Sequence, residues 1–407
     1  MAKIRQAAIL VGGLGTRLGS LTASTPKPLL PCGDRPFLHW LIRELCRFGI
    51  EEILLLCGHL SHEVEKVALT IAARLPEPVQ IVVCREEGRA GTGGALRQAY
   101  DRLDGNFLLI NGDSWLDWNL ANLLADFAND DHNVGCRIVL RYLSDARRSG
   151  VAELKDDLVV AFHKRPIDCS SGYANAGIYI LRRSVIETLD AVCSLEGDVL
   201  PALAAKGSLR GTIGAGYFID IGIPEDYERS QSELPAHLMR PALFLDRDGV
   251  INRDLGWVGQ RNHWEWIPGA VAACREAADA GWHVFVVTNQ SGIARGYYDE
   301  LQFQALSSWM IEEIRRGRGN VDSLRYCPNH PNASIPQYRL NDRRRKPGPG
   351  MIEELINAWE LDPARCKLIG DQVTDLEAAA ACGVEGFLFD GDNLLCSVRS
   401  LMSNMSA

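Results

Sequence analysis

Short apolar runs alternate with longer amphipathic segments along most of the chain. The runs AAILVG, EEILLLCG, VQIVVC, NFLLINGD and CRIVLRYL are brief, rich in Ile, Val and Leu, and end in turn residues, as buried strands do. After the first of them comes RPFLHWLIRELCRFG, a helix candidate with Pro36 near its start and Gly49 at its end. Strands that alternate with helices predict an α/β fold with a largely parallel sheet.

A second series of the same kind begins at Ala242. It contains ALFLD, the helical segment GAVAACREAADAG, and the later strands HVFVVTN, CKLIGD and GFLFD. The polar segment ERSQSELPAHLMRP separates the two series, and we interpret it as a linker. The pattern therefore predicts two α/β domains, 1–236 and 237–407.

The composition agrees with this division and narrows the kind of protein. A chain of 407 residues is long enough for two cores. The net charge of −9 argues against a general nucleic-acid binder, although a single pocket can still be basic. No apolar stretch approaches the roughly 20 residues that span a bilayer, and MAKIRQAAIL lacks a signal-peptide layout, so we expect a cytoplasmic protein. The 12 cysteines include no C-x-x-C pair and are predicted to be reduced and mostly buried.

A glycine-rich segment, LVGGLGTRLGSLTASTPKPLLP, follows the first strand. Gly12, Gly13 and Gly15 let backbone N–H groups approach a phosphate closely, although a plain tight turn would also explain them. Arg17 offers a planar fork of donors for phosphate oxygens, and Lys27 is held between two prolines. The Walker spacing is absent, so this segment is not an ordinary P-loop.

This segment closely resembles the signature G-G-x-G-T-R-L…P-K-P of sugar-1-phosphate nucleotidyltransferases. The likeness continues in GRAGTGGALRQA, LLINGDS, GVAEL, FHKRP, NAGIY and YFIDIGIPEDY. The resemblance implies a Rossmann-like mixed sheet of the GT-A type, with Arg17 and Lys27 as catalytic cations and with Mg²⁺ held by Asp113 and Asp220. The implied nucleotide contacts are Leu10, Gly12, Gly13, Gly15, Thr16, Gly91, Thr92 and Gly93. The implied sugar-phosphate contacts are Gly150, Glu153, Lys164 and Asn175.

Two features leave part of this interpretation open. Taken singly, Asp113 could cap a helix and Asp220 could be a turn residue. Members of this family usually have Glu-Lys-Pro where this chain has His163 before Lys164. His163 thus replaces a carboxylate that often contacts sugar hydroxyls, so the identity of the sugar stays open.

The second series contains its own candidate site, in LFLDRDG. Asp246 and Asp248 are two residues apart on a strand and can share one pocket, although a calcium turn or a surface cap would also place two acids together. VVTNQSG, RRRKPGPG and LIGDQVTDLEAA follow in order. This ordered set resembles the haloacid dehalogenase (HAD) superfamily of phosphatases and spans the whole second half.

That resemblance implies a covalent mechanism with Mg²⁺. Asp246 would attack phosphorus, and Asp248 would protonate the leaving alkoxide. Thr288 and Lys346 would hold the phosphoryl oxygens, while Asp375 would orient Lys346. The implied metal ligands are Asp246, the backbone carbonyl of Asp248, and Asp371.

LDRDGVIN, TNQSGIARG, YCPNHP and RKPGPGM are similar, more narrowly, to heptose-1,7-bisphosphate 7-phosphatases, relatives of the histidinol-phosphate phosphatases. The spacing between the motifs leaves no room for a large cap domain, so a capless HAD-type Rossmann-like domain is expected, with specificity set by nearby loops. The implied substrate contacts are Asp254, Trp257, Thr288, Asn289 and Arg345.

Many members of this subfamily carry structural zinc in a Cys-x-His and Cys-x-Cys arrangement. Here Cys327 remains, but Asn329 stands at the usual His position, with His330 after it. Asp342 and Arg344 stand where the second pair should be, and arginine is not a zinc ligand. We predict no zinc, with the loop held by hydrogen bonds or ion pairs.

The two resemblances converge on one route. A sugar bisphosphate would lose its distal phosphate in the second domain, and the remaining anomeric phosphate would attack a nucleotide in the first. The first domain most resembles heptose-1-phosphate guanylyltransferases, so we predict a bifunctional enzyme that makes GDP-D-glycero-D-manno-heptose for a surface glycan. Its expected partners are small molecules, with neither nucleic acid nor membrane, and a homo-oligomer stays open.

Two alternatives remain at this point. The chain could join a mannose- or glucose-1-phosphate nucleotidyltransferase to a phosphatase for another metabolite, such as histidinol phosphate. Alternatively, one domain could be catalytically silent and act as a ligand sensor or dimer platform. No residue in the sequence independently proves guanine over the other bases.

Overall fold

The computed structural model describes residues 3–13, 15–146, 150–163 and 171–403. The chain divides into two compact units, Met1–Leu238 and Met239–Ala407. The segment that was predicted to be a linker is instead mostly helical, within Pro224–Leu238. Its Ser230, Leu234 and Leu238 recur every four residues and are buried, so one face of the helix packs on the first unit.

The first unit combines a large sheet with helices on both faces. Its strands are β1 (Gln6–Leu10), β2 (Pro31–Cys32), β3 (Arg35–Pro36), β4 (Glu52–Cys57), β5 (Gln80–Arg85), β6 (Asn106–Asn111), β7 (Ser114–Leu116), β8 (Cys136–Leu143), β9 (Val151–Lys155), β10 (Leu158–His163), β11 (Gly172–Arg182), β12 (Leu209–Ile213) and β13 (Phe218–Asp220). Its helices are α1 (Phe37–Arg47), α2 (Ser61–Ala72), α3 (Gly91–Gln98), α4 (Ala121–Ala128), α5 (Arg183–Ile186), α6 (Leu200–Ala205) and α7 (Pro224–Leu238), with a π-helical turn at Leu195–Val199.

In the described residues the main sheet of this unit has the order β5-β4-β1-β6-β11-β8-β12-β10-β9. β5, β4, β1 and β6 are parallel, and β11 returns antiparallel to β6, so the sheet is mixed. Along β1, Ile9 belongs to one core and Ala8 to the other. Burial on both faces explains why this strand is apolar throughout instead of alternating.

The order of the strands places a crevice beside β1. The chain passes from β1 to β4 on one side, while β6 pairs with β1 on the other. The loops that leave the carboxyl ends of β1 and β6 therefore diverge, which is where ligands bind in open α/β sheets. Gly112 keeps these ends close, since its N–H donates to the Leu10 carbonyl at 3.0 Å.

The second unit has a fully parallel sheet in the order β16-β15-β14-β17-β18 among the described residues. Its strands are β14 (Ala242–Leu245), β15 (His283–Asn289), β16 (Ser323–Cys327), β17 (Cys366–Gly370) and β18 (Glu385–Leu388). Its helices are α8 (Ala270–Asp279), α9 (Ser291–Arg295), α10 (Glu300–Arg316), α11 (Gly350–Trp359), α12 (Val373–Ala381) and α13 (Leu394–Ser403). The strand order reverses at β14, so the carboxyl ends of β14, β15 and β17 surround one crevice.

The cysteines and helices of the described part bear on two sequence predictions. Every cysteine described is a free thiol, and most are buried, as predicted. None of the described helices combines the length and apolar character that crossing a bilayer requires.

Candidate active sites

The first crevice holds an ion pair between residues that are distant in sequence. Lys27 begins a short 3-10 helix, Lys27–Leu29, and Asp113 follows β6. The Lys27 Nζ lies 2.6 Å from Asp113 Oδ2. Leu10, Gly13 and Thr92 line the same cleft of about 240 Å³. Among the described residues other than its chain neighbours, none has an atom within 4 Å of the position that a Cβ on Gly13 would occupy, so this side of the glycine is open.

Asp220 lies beside this pair because β13 runs antiparallel to β7, with Asp220 opposite Ser114. Burial and then the charge of Asp113 raise the pKa of Asp220 to about 6, against the opposing effect of Lys27. A Cβ on Gly222 would lie 2.8 Å from Asp220 Oδ1 and 3.5 Å from Lys27 Nζ, so the glycine keeps the space beside them clear. Two carboxylates with open space between them are an oxygen donor set that suits Mg²⁺.

A larger cleft of about 620 Å³ adjoins the first and shares Asp113 with it. Arg17, Gly150 and Asn175 line it, as does Asp220. Asn175 is held on both sides of its amide: Nδ2 donates to Glu196 Oε1 at 2.6 Å, and Oδ1 accepts from Gly177 N at 2.9 Å. The structure thus brings together the predicted catalytic and metal residues of this unit, with two of the four predicted sugar-phosphate residues, around two joined clefts.

Five described residues among the predicted contacts line neither cleft: Gly12, Gly15, Gly91, Gly93 and Glu153. In the described part of the chain, Glu153 is exposed and contacts His163, whose Nε2 lies 2.8 Å from Glu153 Oε1. Lys164 lies outside the described residues, as does the side chain of Thr16.

Gly91 and Gly93 have a structural role that the sequence analysis did not predict. Gly91 has φ +74°, and a Cβ there would lie 2.5 Å from the Cys193 carbonyl oxygen. A Cβ on Gly93 would lie 2.5 Å from Cys193 Sγ. Thr92, between them, lines the smaller cleft and accepts a hydrogen bond at Oγ1 from Leu195 N (2.8 Å). The two glycines therefore allow α3 to pack closely on this segment, which positions Thr92.

Glu86 is a candidate site residue that the sequence analysis missed. It directly follows β5, and its Oε1 lies 2.6 Å from where a Cβ on Gly12 would be. Burial raises the pKa of its carboxyl. An acidic residue at a strand end, just before the GTGGA motif, was the signal that could have found it.

The second unit gathers three carboxylates and a lysine at the carboxyl ends of its strands. Asp246 follows β14, Asp371 follows β17, and Asp375 lies in the first turn of α12; one oxygen of each lies within 4.8 Å of the others. The Lys346 Nζ lies 2.9 Å from Asp246 Oδ2 and 2.7 Å from Asp375 Oδ1. Burial raises the pKa of Asp246 to about 7, although the charge of Lys346 opposes this rise.

Asp248 is oriented by three donors that sequence reasoning did not assign. The buried Arg247 Nη2 lies 2.8 Å from Asp248 Oδ2. Asn252 Nδ2 and Gln290 Nε2 each donate to the same carboxylate at 2.9 Å. Gly249 completes the turn with φ +86°, and a Cβ there would lie 2.2 Å from Asp371 Oδ2. This close approach explains why glycine follows the second aspartate of DRDG.

The remaining predicted residues of this unit divide into two groups. Asp254, Trp257 and Asn289 line a pocket of about 350 Å³ together with the three carboxylates. Asn289 also accepts from Lys346 N and donates to its carbonyl, both at 3.0 Å, and so holds the lysine segment in place. Thr288 is buried, and its hydroxyl accepts from Gln290. Arg345 lies beside the lysine and donates to the Asn329 carbonyl at 3.4 Å.

The loop that resembles a zinc site is organised by Asp342. Asn329 Nδ2 donates to Asp342 Oδ2 at 2.6 Å, and Arg344 N donates to Oδ1 at 2.8 Å. Cys327 Sγ lies 3.6 Å from the same carboxylate, and burial raises the pKa of the thiol to about 11. Cys327 and Asp342 offer a thiol and a carboxylate, but Asn329 and Arg344 stand at the other two positions and arginine cannot be a ligand, so this set does not supply the four ligands of structural zinc. The prediction that hydrogen bonds hold this loop is confirmed.

Comparisons with known proteins identify a family for each unit. A family model described as nucleotidyl transferase matches residues 6–236, and one described as HAD-hydrolase-like matches residues 343–393. Fold and sites together define a nucleotidyltransferase joined to a HAD phosphatase. The chain belongs to the nucleotidyl transferase family and, through its second unit, to the D-glycero-β-D-manno-heptose-1,7-bisphosphate 7-phosphatases.

The relatives that support this assignment are both phosphatases, and each matches less than half of this chain. The 7-phosphatase of Rhodopseudomonas palustris is 44% identical over 166 residues, which is 41% of this chain and 92% of the relative. That of Escherichia coli K12 is 42% identical over 144 residues, or 35% of this chain and 75% of the relative.

The solved structures resemble the first unit. HddC from Yersinia pseudotuberculosis, complexed with GMP-PN, is 28% identical with a TM-score of 0.50, covering 57% of this chain and all of HddC. A putative glucose-1-phosphate thymidylyltransferase from Bacillus anthracis is 23% identical with a TM-score of 0.51, covering 56% and 94% of the two chains. The second likeness shows the shared fold alone. The predicted families, fold class and enzyme classes are thereby confirmed.

Proposed function

We propose that the chain is a bifunctional enzyme of sugar-nucleotide synthesis. The second unit removes the C7 phosphate of D-glycero-D-manno-heptose 1,7-bisphosphate, and the first transfers GMP from GTP to the resulting heptose 1-phosphate. The products are GDP-heptose, phosphate and pyrophosphate. The observation that carries the proposal is a 44% identity to a heptose bisphosphatase in a chain that also has a nucleotidyltransferase cleft. Nucleoside triphosphates and sugar phosphates are metabolites of the cytoplasm, so we place both reactions there.

In the phosphatase reaction, a carboxylate oxygen of Asp246 attacks phosphorus, and the bond from phosphorus to the C7 oxygen breaks. Asp248, held by its three donors, gives a proton to the departing alkoxide. Asp248 then takes a proton from water, whose oxygen attacks the aspartyl-phosphate and releases inorganic phosphate and the Asp246 carboxylate. Lys346 and Thr288 hold the phosphoryl oxygens, and Asp375 keeps Lys346 in position.

The three acids of this pocket fit a divalent cation. Asp246, Asp371 and the carbonyl of Asp248 would hold Mg²⁺. When bound, the ion offsets the repulsion between the Asp246 carboxylate and the phosphate dianion.

In the nucleotidyl reaction, an oxygen of the sugar phosphate attacks the α-phosphorus of GTP, and pyrophosphate leaves. The attacking oxygen is already ionised, so no general base is needed. Asp113 and Asp220 would hold Mg²⁺, which adds charge neutralisation at the phosphates. Arg17 and Lys27 neutralise further negative charge and align the two substrates.

Glu86 supports guanine as the base. An ionised carboxylate only accepts hydrogen bonds, and guanine presents two adjacent donors, N1–H and the 2-amino group. Adenine has no such pair of donors on that edge. Glu86 lies against Gly12 of the nucleotide loop, and the HddC structure was obtained with GMP-PN.

A cationic cluster on the rim of the second pocket supports a bisphosphate over histidinol phosphate. Trp257 lines the pocket, and the Arg295 Cζ lies 5.9 Å from its ring centroid. Burial lowers the pKa of His330, and the positive charges of Arg345 and Arg295 lower it further. The three basic side chains therefore lie near one another. Within the described residues, neither Arg295 nor Arg345 forms an ion pair with a carboxylate. Unpaired arginines beside the pocket suit a second phosphate on the substrate.

The decisive assay supplies heptose 1,7-bisphosphate, GTP and Mg²⁺ and analyses the products by mass spectrometry. We expect GDP-heptose, phosphate and pyrophosphate. Asp246→Asn should stop phosphate release but leave transfer to supplied heptose 1-phosphate intact, and Asp113→Ala should do the reverse. The joined activity would be refuted if phosphate is released from the bisphosphate but no sugar nucleotide forms with any of the four nucleoside triphosphates. Transfer that is unchanged in Asp113→Ala would remove this residue from the site.

A further inference from the structure

Arg141 lies in the larger cleft of the first unit, near the end of β8. The strand pairs with β11 so that Arg141 is opposite Ala174, next to Asn175. Leu140 is fully buried in the core, and side chains alternate along a strand, so Arg141 points the other way. It lines the cleft of about 620 Å³ together with Arg17 and Asn175.

The guanidinium of Arg141 is held on an aromatic ring and not by an acid. Its Cζ lies 3.6 Å from the ring centroid of Phe218, and burial lowers its pKa. Among the described residues, its buried Nε has no hydrogen-bond partner. The nearby acids are already engaged: Asp226 with Arg229 at 2.8 Å, and Asp220 with the Gly222 N–H at 2.8 Å.

Another arginine of the same strand shows what a structural role looks like. Arg137 is buried, with its Nη2 2.5 Å from Asp130 Oδ1 and 2.8 Å from Asp157 Oδ2. Arg141 has no such carboxylate, yet a half-buried cation needs either an acid or a ligand that supplies negative charge. The contrast indicates that the partner of Arg141 is a ligand of the cleft.

We propose that Arg141 binds the phosphate of the sugar 1-phosphate, the group that attacks the nucleotide. This inference rests on the proposed function and adds a substrate contact to it. Lys27 is already paired with Asp113, so a further cation is needed to hold a dianion next to the acids of this cleft. A planar guanidinium can bind two phosphate oxygens at once, which fixes the direction of the attacking oxygen.

The test is steady-state kinetics of Arg141→Gln with heptose 1-phosphate and GTP varied separately. Loss of a bidentate charged contact predicts that KM for heptose 1-phosphate rises by about tenfold or more, while KM for GTP stays within about twofold. Arg5→Gln is the control, because it removes the same charge from an exposed arginine of the first unit, which pairs with Glu51 at 3.5 Å and lines neither cleft. It should leave both constants near the wild-type values.

A thermal melt beside the wild type reports whether the first unit of the variant is folded, and phosphatase activity of the second unit normalises the amount of chain. An unchanged KM for heptose 1-phosphate, or an equal rise for both substrates, would overturn the inference and leave Arg141 with a packing role. Failure of the proposed function looks different, because the wild-type chain would then make no sugar nucleotide. In that event, calorimetric titration of the wild type and Arg141→Gln with heptose 1-phosphate decides: equal affinity overturns the inference, and weaker binding to the variant supports it.

Discussion

Lys346 of the second unit is placed to control the charge of the proposed nucleophile. Burial alone would leave the Asp246 carboxyl protonated at neutral pH, since its pKa is raised to about 7 even with the lysine 2.9 Å away. A protonated acid is a poor nucleophile, so the ammonium has to favour the ionised form. Asp375 supports this arrangement, because its own ion pair with Lys346 at 2.7 Å fixes where the ammonium lies. In the proposed mechanism Lys346 therefore has two roles, favouring the ionised form of Asp246 and holding the phosphoryl oxygens.

At the level of single residues, Glu86→Gln tests the choice of base. The amide replaces one of two acceptors with a donor, so one hydrogen bond to guanine is lost and the charge assistance of the other disappears. We expect kcat/KM for GTP to fall by roughly 10- to 100-fold, while kcat/KM for ATP changes little. Initial rates with each of the four nucleoside triphosphates measure this. An equal fall for GTP and ATP would show that Glu86 supports the loop instead of reading the base.

Arg345→Gln tests the rim cluster of the second unit. We expect KM for heptose 1,7-bisphosphate to rise by about tenfold, because a charged contact to the distant phosphate is lost. Hydrolysis of p-nitrophenyl phosphate, which has no second phosphate, should stay within about twofold. Arg343→Gln is the control from the same run of arginines, since Arg343 is already paired with Glu353. Equal losses on both substrates would contradict a role in bisphosphate recognition.

At the level of elements, α1 contains a buried polar side chain that is satisfied by a hydrogen bond. Nearly all of Phe37–Arg47 is buried, and His39 is among the buried residues. Its Nε2 lies 2.9 Å from Arg35 Nη1, which can only donate, so the imidazole accepts and is neutral. Burial and then the charge of Arg35 lower the pKa of His39 to about 4.

The buried, neutral His39 of α1 predicts that the first unit loses folding stability in acid. Between pH 6.5 and 4, the unfolded chain takes up a proton on His39 that the folded chain does not. Stability therefore falls as the pH drops through this window, by up to about 3 kcal/mol from this group. Thermal melts of the wild type and His39→Gln across this range measure the effect. The difference between the two should shrink toward low pH, and a constant difference would contradict the assignment.

The elements also show where local pattern was insufficient. The runs of apolar residues predicted five strands of the larger sheet and four of the smaller one, but not β9–β12 or β16. The segment ERSQSELPAHLMRP was interpreted as a linker, and the division between the units does fall inside it, but its residues up to Leu238 form a helix despite Pro235. Its buried positions lie four residues apart and form one face of the helix. Because one of them is a serine, the sequence alone does not show that this face is buried; the packing of the helix on the first unit does.

At the level of the molecule, two sites with separate charged groups predict that the reactions can be uncoupled and recombined. Asp246→Asn should lack phosphatase activity and Asp113→Ala should lack transfer, so neither alone makes GDP-heptose from the bisphosphate. An equimolar mixture of the two variants should make it, because heptose 1-phosphate released by one chain can bind another. Product analysis by mass spectrometry checks this, with the double variant as the blank. An inactive mixture would mean that the intermediate does not pass through solution.

Local sequence was sufficient for the two α/β series and for the loops after their first strands, whereas the acids and lysines of both candidate sites were proposed from resemblance to known families. The series and the loops depend on residues close together in the chain, where periodicity, glycine and proline act directly. The contacts that organise the sites could not be predicted from local sequence, because they join residues far apart in the chain. Lys27 and Asp113 are 86 residues apart, and Gln290 and Asp248 are 42 residues apart. Glu86 beside Gly12 and the Arg141 guanidinium on Phe218 belong to the same class. Such pairs exist because strands distant in sequence are neighbours in a sheet, and strand order follows from the packing of the whole unit.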